Sequence, residues 1–244
     1  PARETVLKAR QLQPGDQSPF TPAPIDEVVA EIRANKPDLV FAPHVETSSG
    51  IMLSDDYLRA VADAVHEVGG LFVLDCIASG TVWVDMRACG IDVLISAPQK
   101  GWSASPCSAL VMLSPLALER IEGTTSNSFA CDLKKWLSMM QAYENGGHAY
   151  HATMPTDALK QFRDTMLETR DYGFVKVKEE QLALGRAVRA MLKEKGFQSV
   201  AGEGFEAPGV VVSYTSEDSI QNGKAFGAHG LQTAAGVPLM CDEP

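Results

Sequence analysis

Short apolar runs alternate along the chain with segments of helical period. Ile25, Val28, Val29 and Ile32 recur at helical spacing after Pro24, with Asp26 and Glu27 in the first turn. That pattern predicts a helix ended by Lys36-Pro37. Asp38-Leu39-Val40-Phe41-Ala42 reads as a short strand, and residues 43–50 as the loop after it. Ser54 caps a second predicted helix, with Tyr57, Leu58, Val61, Ala62 and Val65 on one face and Gly69-Gly70 as its stop. Leu71-Phe72-Val73-Leu74 is the next strand, ending at Asp75; residues 91–96 and 108–113 read as two more. Residues 133–143 predict a helix stopped by Asn145-Gly146-Gly147. Pro155-Thr156-Asp157 opens a helical tract from Ala158 to about Lys195, interrupted at Tyr172-Gly173. Residues 209–214 are strand-like and 220–230 helix-like. The polar, proline-rich residues 1–24 read as loop, and the last residues, from Val237, as a strand running into a loop.

Strands that are continuous apolar runs, alternating with helices, argue an α/β domain whose parallel sheet is covered on both faces. The C-terminal part suggests a separate α+β unit with a boundary near residue 170, so 1–170 and 171–244 are the expected domains. The 244 residues, 45% of them apolar, support a full core. A net charge of −10 and a pI near 5.0 argue against nucleic acid as the main partner. No apolar run approaches the length of a membrane span, and no signal-peptide pattern opens the chain. The five cysteines are odd in number and include no C-x-x-C pair. They read as reduced thiols of a cytoplasmic protein, not as a disulfide frame or a zinc site. His148 and His151, three apart, have no third ligand placed with them, so no metal site is expected. The chain has no initiator Met and both ends look cut, which predicts a fragment of a longer protein.

Parallel sheets bind ligands outside the carboxyl ends of their strands. Three of the predicted strand ends carry polar groups: Glu46-Thr47-Ser48, Asp75, and Gln99-Lys100. Each has an ordinary explanation alone, the lysine as a solvated loop residue and the acid as a cap or ion-pair partner. Together they fit pyridoxal phosphate, which needs a lysine for a Schiff base and an acid on its pyridinium nitrogen. Ile77, two residues past Asp75, is placed either to pack on such a ring or to belong to the core.

The order His44-x-Glu46-Thr47-Ser48-Ser49-Gly50, Leu74-Asp75-x-x-Ala78-Ser79, Ser96-x-x-Gln99-Lys100 and Tyr150-His151-x-Thr153-x-Pro155 resembles the class V branch of the fold-type-I pyridoxal-phosphate enzymes. Within that branch it most resembles the alanine–glyoxylate and serine–pyruvate aminotransferase group, over nearly the whole chain. The resemblance implies a three-layer large domain with a mainly parallel sheet, plus part of a smaller α+β C-terminal domain. It implies Lys100 as the Schiff-base lysine, Asp75 on the pyridine nitrogen and Ile77 against the ring. Thr47 or Ser48 would lie near the phenolic oxygen or phosphate, with Gln99 touching the cofactor beside the lysine. Tyr150 and Thr153 match positions that reach the phosphate of a neighbouring subunit, which implies a homodimer with shared active sites. The implied reaction moves an amino group from a small amino acid of alanine or serine type to a 2-oxo acid such as glyoxylate or pyruvate.

The family's early glycine-containing phosphate turn and ring-stacking aromatic have no match here. Its substrate-carboxylate arginine belongs after the segment where this chain stops. Two other readings stay open. A lyase of the cysteine desulfurase type needs a mobile nucleophilic cysteine, and Cys76 and Cys107 are the ones near the motifs. A non-enzymatic α/β interaction module would leave Lys100 an ordinary loop lysine.

Overall fold

A serine ahead of an amphipathic run sets one of the principal helices. The computed structural model describes residues 15–236. After α1 (Ile25–Asn35) come β1 (Leu39–Pro43), β2 (Val45–Glu46) and β3 (Ile51–Met52), and then α2 (Asp55–Glu67). Ser54 Oγ accepts the Tyr57 N–H at 3.2 Å and so satisfies a donor at the start of α2. Leu58, Val61, Ala62, Ala64 and Val65 form the buried stripe of α2. At the end of α1, Lys36 takes a left-handed φ of 46° ahead of Pro37, and the helix stops. Next come β4 (Leu71–Asp75), β5 (Val93–Ser96) and β6 (Leu110–Leu113).

The main sheet runs β1-β4-β5-β6. β1, β4 and β5 are parallel, with Pro43 opposite Asp75 and Asp75 opposite Ile95. α1 and α2 cover one face, where Phe72, Leu74 and Leu94 meet Ile32, Leu58 and Val65 in the core. Truncating a fully buried residue such as Leu58 costs about 2–5 kcal/mol. The other face carries Leu39, Phe41 and Val73 in register. Val73 is buried there, but Leu39 and Phe41 on the edge strand are 48% and 69% exposed. Among the described residues, that face is covered at β4 and open at β1.

Several expectations need correction. The loop predicted over 43–50 contains β2, which pairs antiparallel with β3. β6 is antiparallel to β5, which agrees with the mainly parallel sheet that the resemblance implies. The strand predicted over 91–96 begins only at Val93, because Asp92 is turned inward and 3% exposed. Its carboxylate accepts the Phe72 N–H (2.8 Å) and the Ser114 hydroxyl (3.0 Å), and meets His66 Nε2 at 2.8 Å. α3 (Pro115–Glu122), capped by Ser114, was not expected. α4 (Leu133–Glu144), α5 (Thr156–Tyr172) and α6 (Phe174–Glu194) follow the predicted pattern, with Gly173 at φ 108° breaking the long tract. Residues 209–214 form no strand; Ser213 makes one isolated bridge to Ser199. The helix predicted over 220–230 is reduced to α7 (Asp218–Gln221) and α8 (Lys224–Gly227). Residues 15–24 are irregular, as read, although Phe20 bridges Ala201. Residues 1–14 and the strand predicted from Val237 lie outside the described residues. No described helix is long and apolar enough to cross a membrane.

Candidate active site

The carboxyl ends of β4 and β5 lie side by side, and each feeds a loop that carries one of the predicted groups. Asp75 is the last residue of β4 and is exposed. Its Oδ1 accepts the Ile77 N–H at 2.9 Å, which folds the loop back on the strand end. The carboxylate keeps acceptor capacity for a further donor. Ile77 is half-buried beside it. On the neighbouring strand, β5 ends at Ser96, and Pro98-Gln99-Lys100-Gly101 turns over the edge. Two backbone bonds close this turn, Ser103 N to Lys100 O and Ala104 N to Pro98 O, both at 3.0 Å. Ser103 takes a left-handed φ of 55°. Gln99 and Lys100 are exposed, so the ammonium carries no burial cost.

The two loops touch through backbone. A Cβ on Gly101 would lie 1.9 Å from the Gly80 carbonyl oxygen, so only glycine permits this approach. The approach ties the loop after Asp75 to the residue after Lys100. Trp102 anchors the far side of the turn. Its ring lies 4.8 Å from that of Trp83, and Phe162 and Phe174 pack edge-on against it. From α6, Gln181 Oε1 accepts both the backbone N–H and the hydroxyl of Thr81, the residue after Gly80.

Thr47 and Ser48 lie in the exposed turn between β2 and β3. Ser48 donates its N–H and its hydroxyl to Glu46 Oε1, both at 2.9 Å. Tyr150 and Thr153 form a second grouping. Their hydroxyls are 3.0 Å apart, and they line a cavity of about 680 Å³ with Trp136, Met140, Tyr143 and Leu159. The structure thus gathers Asp75, Ile77, Gln99 and Lys100 at one sheet edge and sets Tyr150 and Thr153 beside the α4 groove.

The strand-end pattern alone assigns no role to His44, Ser79, Gly80 or Gly101. His44 is 2% exposed, and its Nδ1 lies 2.7 Å from Ser79 Oγ. Burial pushes its imidazole down to about 4. The run Ala78-Ser79-Gly80 after a strand-end acid, and a glycine straight after the lysine, were the available signals. Burial also pushes the Cys76 thiol up to about 12, so this cysteine is not an activated nucleophile. Among the described residues, no three His, Cys, Asp or Glu side chains are grouped to hold a metal ion.

The donor set suits pyridoxal phosphate at its ring: an accessible amine, a carboxylate with spare acceptor capacity on the adjacent strand, and an apolar side chain beside it. The fold is that of the fold-type-I pyridoxal-phosphate transferases. The structure of an alanine–glyoxylate aminotransferase from Nostoc sp. superposes with a TM-score of 0.77 at 18% identity, covering 92% of this chain and 59% of that one. In sequence, the chain is similar to class V aminotransferases. It is 30% identical over 159 residues to the alanine–glyoxylate aminotransferase of Felis catus, covering 63% of this chain and 36% of the relative. It is 25% identical over 218 residues to the 2-aminoethylphosphonate–pyruvate transaminase of Vibrio cholerae serotype O1, covering 87% and 56%. The chain thus spans 36% and 56% of the lengths of these two curated relatives. No family model matches it.

Proposed function

We propose that this chain forms the cofactor-binding part of a pyridoxal-phosphate-dependent aminotransferase. The observation that carries the reading is the pairing of the Asp75 loop with the Lys100 turn across the Gly80–Gly101 approach. The similarity to named aminotransferases supports it. When bound, pyridoxal phosphate supplies an electron-poor ring that stabilises negative charge at the α-carbon of an amino acid. Asp75 would face the ring nitrogen, where its carboxylate would favour the protonated ring. Lys100 is the residue whose Nζ would hold the cofactor covalently. The Lys100 amine, when free, would be the acid–base group that takes up and returns the substrate α-proton. Ile77 would pack on the ring, Gln99 would contact the cofactor beside the lysine, and Thr47 or Ser48 would lie near its phenolic oxygen or phosphate.

The donor is a small amino acid of alanine or serine type, and the acceptor a 2-oxo acid such as glyoxylate or pyruvate. The protein is cytoplasmic and works as a homodimer, with Tyr150 and Thr153 reaching the partner's phosphate. Tyr150 is 77% exposed, which leaves it free for that contact. Residues 1–170 carry the large domain and 171–244 open the smaller one. Of the two cysteines the desulfurase alternative could use, Cys76 is buried and its thiol pushed up, so that one gives it no support. The test is to add pyridoxal phosphate to the whole protein, reduce with borohydride and map the label. A label on Lys100, lost in Lys100→Ala together with transamination, is expected. Equal labelling and turnover in Lys100→Ala would refute the assignment. Sedimentation equilibrium at twice the subunit mass is expected; a monomer would remove the shared site.

A further inference from the structure

A buried, uncharged polar side chain next to a strand end needs a reason, because burying it without a partner is costly. His44 follows β1, and its side chain is as enclosed as the centre of the core. Two of the polar groups of His44, its main-chain N–H and its ring Nδ1, pair with the end of β4 and the loop that follows it. Its N–H donates to the Asp75 carbonyl at 2.8 Å, and its own carbonyl accepts the Leu53 N–H at 2.9 Å. Its Nδ1 pairs with Ser79 Oγ at 2.7 Å, and Ser79 is itself 4% exposed. Ser79 is in turn held inside the loop: its N–H donates to Cys76 O, and its carbonyl accepts the Val82 N–H, each at 3.2 Å. The residue after Ser79 is Gly80, which abuts Gly101, and the residue before Gly101 is Lys100.

One histidine therefore grips the loop at both ends, by its main chain at Asp75 and by its ring at Ser79. We infer that His44 is a positioning residue, whose bond to Ser79 fixes the Asp75–Gly80 loop and, through the Gly80–Gly101 approach, the separation of the Asp75 carboxylate from Lys100 Nζ. The inference rests on the proposed cofactor reading, since the separation matters only if one ligand spans both groups. His44 touches neither the amine nor the carboxylate; it acts through the loop. The imidazole is neutral near neutral pH, so it adds no charge beside Asp75 and alters the site by geometry alone.

The experiment compares His44→Leu, His44→Asn and Ser79→Ala with the unmodified whole protein. Asn keeps a hydrogen-bonding group near the Nδ1 position, and Leu does not. Three quantities are read: thermal stability without cofactor, pyridoxal-phosphate affinity, and visible circular dichroism of the bound cofactor, which reports how the ring is held. His44→Leu and Ser79→Ala are expected to weaken cofactor binding by about tenfold, or about 1.4 kcal/mol, and to change the dichroic band. His44→Asn is expected to restore most of both. The double variant His44→Leu/Ser79→Ala is expected to be no worse than either single change, because both remove one bond. If His44→Leu does not fold, Ser79→Ala and His44→Asn carry the comparison. Lower thermal stability with unchanged affinity and unchanged dichroism would overturn the inference and leave the cofactor reading intact. Failure of the unmodified protein to take the cofactor at Lys100 would overturn the cofactor reading and this inference with it.

Discussion

The contact between Gly80 and Gly101 predicts a large effect from the smallest possible side chain. In Gly101→Ala the added methyl group would sit 1.9 Å from Gly80 O, 2.5 Å from its carbonyl carbon and 3.1 Å from its Cα. Ordinary van der Waals contact begins at 3.4 Å, so the two segments must part by about 1.5 Å, and the atoms in the way are backbone. Neither side can yield cheaply. The Gly80 loop is held by His44 through Ser79 and by Gln181 through Thr81, and the Gly101 turn by Trp102 packing against Trp83. Overpacking of this kind costs about 1–3 kcal/mol and occasionally more, and the pinned backbone puts this case at about 3 kcal/mol. With a urea slope of about 3 kcal/mol/M for a chain of this size, the unfolding midpoint should fall by about 1 M. The same displacement should weaken pyridoxal-phosphate binding in a parallel titration. Gly123→Ala is the control. Its added Cβ meets nothing closer than Arg120 O at 3.9 Å, and its φ of −78° suits alanine. That change should be neutral, or stabilising by up to about 1 kcal/mol. A Gly101→Ala protein with the unmodified midpoint and affinity would refute the account of how the two loops are joined.

Asp92→Ala removes the acceptor for Phe72 N, Ser114 Oγ and His66 Nε2 at a 3% exposed position. It should cost about 3–5 kcal/mol in urea unfolding, with part recovered in Asp92→Asn. His44 supplies a pH prediction. Burial lowers its pKa from 6.5 to about 4, with Asp55 opposing and Lys178 reinforcing the shift. The unfolded chain therefore binds the proton first as pH falls. Stability from this group is full above pH 6.5 and is lost as pH drops to about 4, by about 3 kcal/mol in all. Subtracting the stability–pH curve of His44→Asn from that of the unmodified protein isolates this loss; parallel curves would show that the histidine is not buried neutral.

The elements that burial writes directly into the sequence were legible. The α2 helix had a cap, an apolar stripe and a glycine stop, and β4 a continuous apolar run. The strand-end polar groups at Asp75 and Lys100 stood out for the same reason, since each follows residues that cannot face water. What depends on a partner was not legible. Residues 209–214 are apolar enough for a strand, but among the described residues they meet only a bridge at Ser213 and bonds such as Val200 N to Val212 O. A ladder needs a second strand, and local propensity does not provide one. β2 and β3 span two residues each, too short for any period to register. The direction of β6 leaves no mark in an apolar run, although residues 97–109, with no helical period, could have warned against a parallel crossover. Asp92 looked like a strand residue because its neighbours are apolar; only the three donors around it reveal why an acid is there. His44 was visible as part of a motif, but its bond to Ser79 joins residues 35 apart in sequence.

Gln181 tests whether the candidate site belongs to the N-terminal region alone. A boundary near residue 170 assigns Gln181 to the second domain, yet its side chain reaches the loop after Asp75. It accepts from Thr81, and its Nε2 would meet an added Cβ on Gly80 at 2.6 Å. Trp83 Nε1 donates to Phe174 O at 3.1 Å in the same seam. The loop is thus braced by β1 through His44, by β5 through Gly101 and by α6 through Gln181. Gln181→Ala keeps a good helix former in α6 and removes only the third brace. Thr81 is half-buried, so water can replace part of the lost bond, and the stability cost should stay near 1 kcal/mol. If the brace sets the loop, pyridoxal-phosphate affinity should fall severalfold, more than that small cost would suggest. An unchanged affinity would mean that His44 and Gly101 suffice, and that α6 packs against a loop already fixed without it.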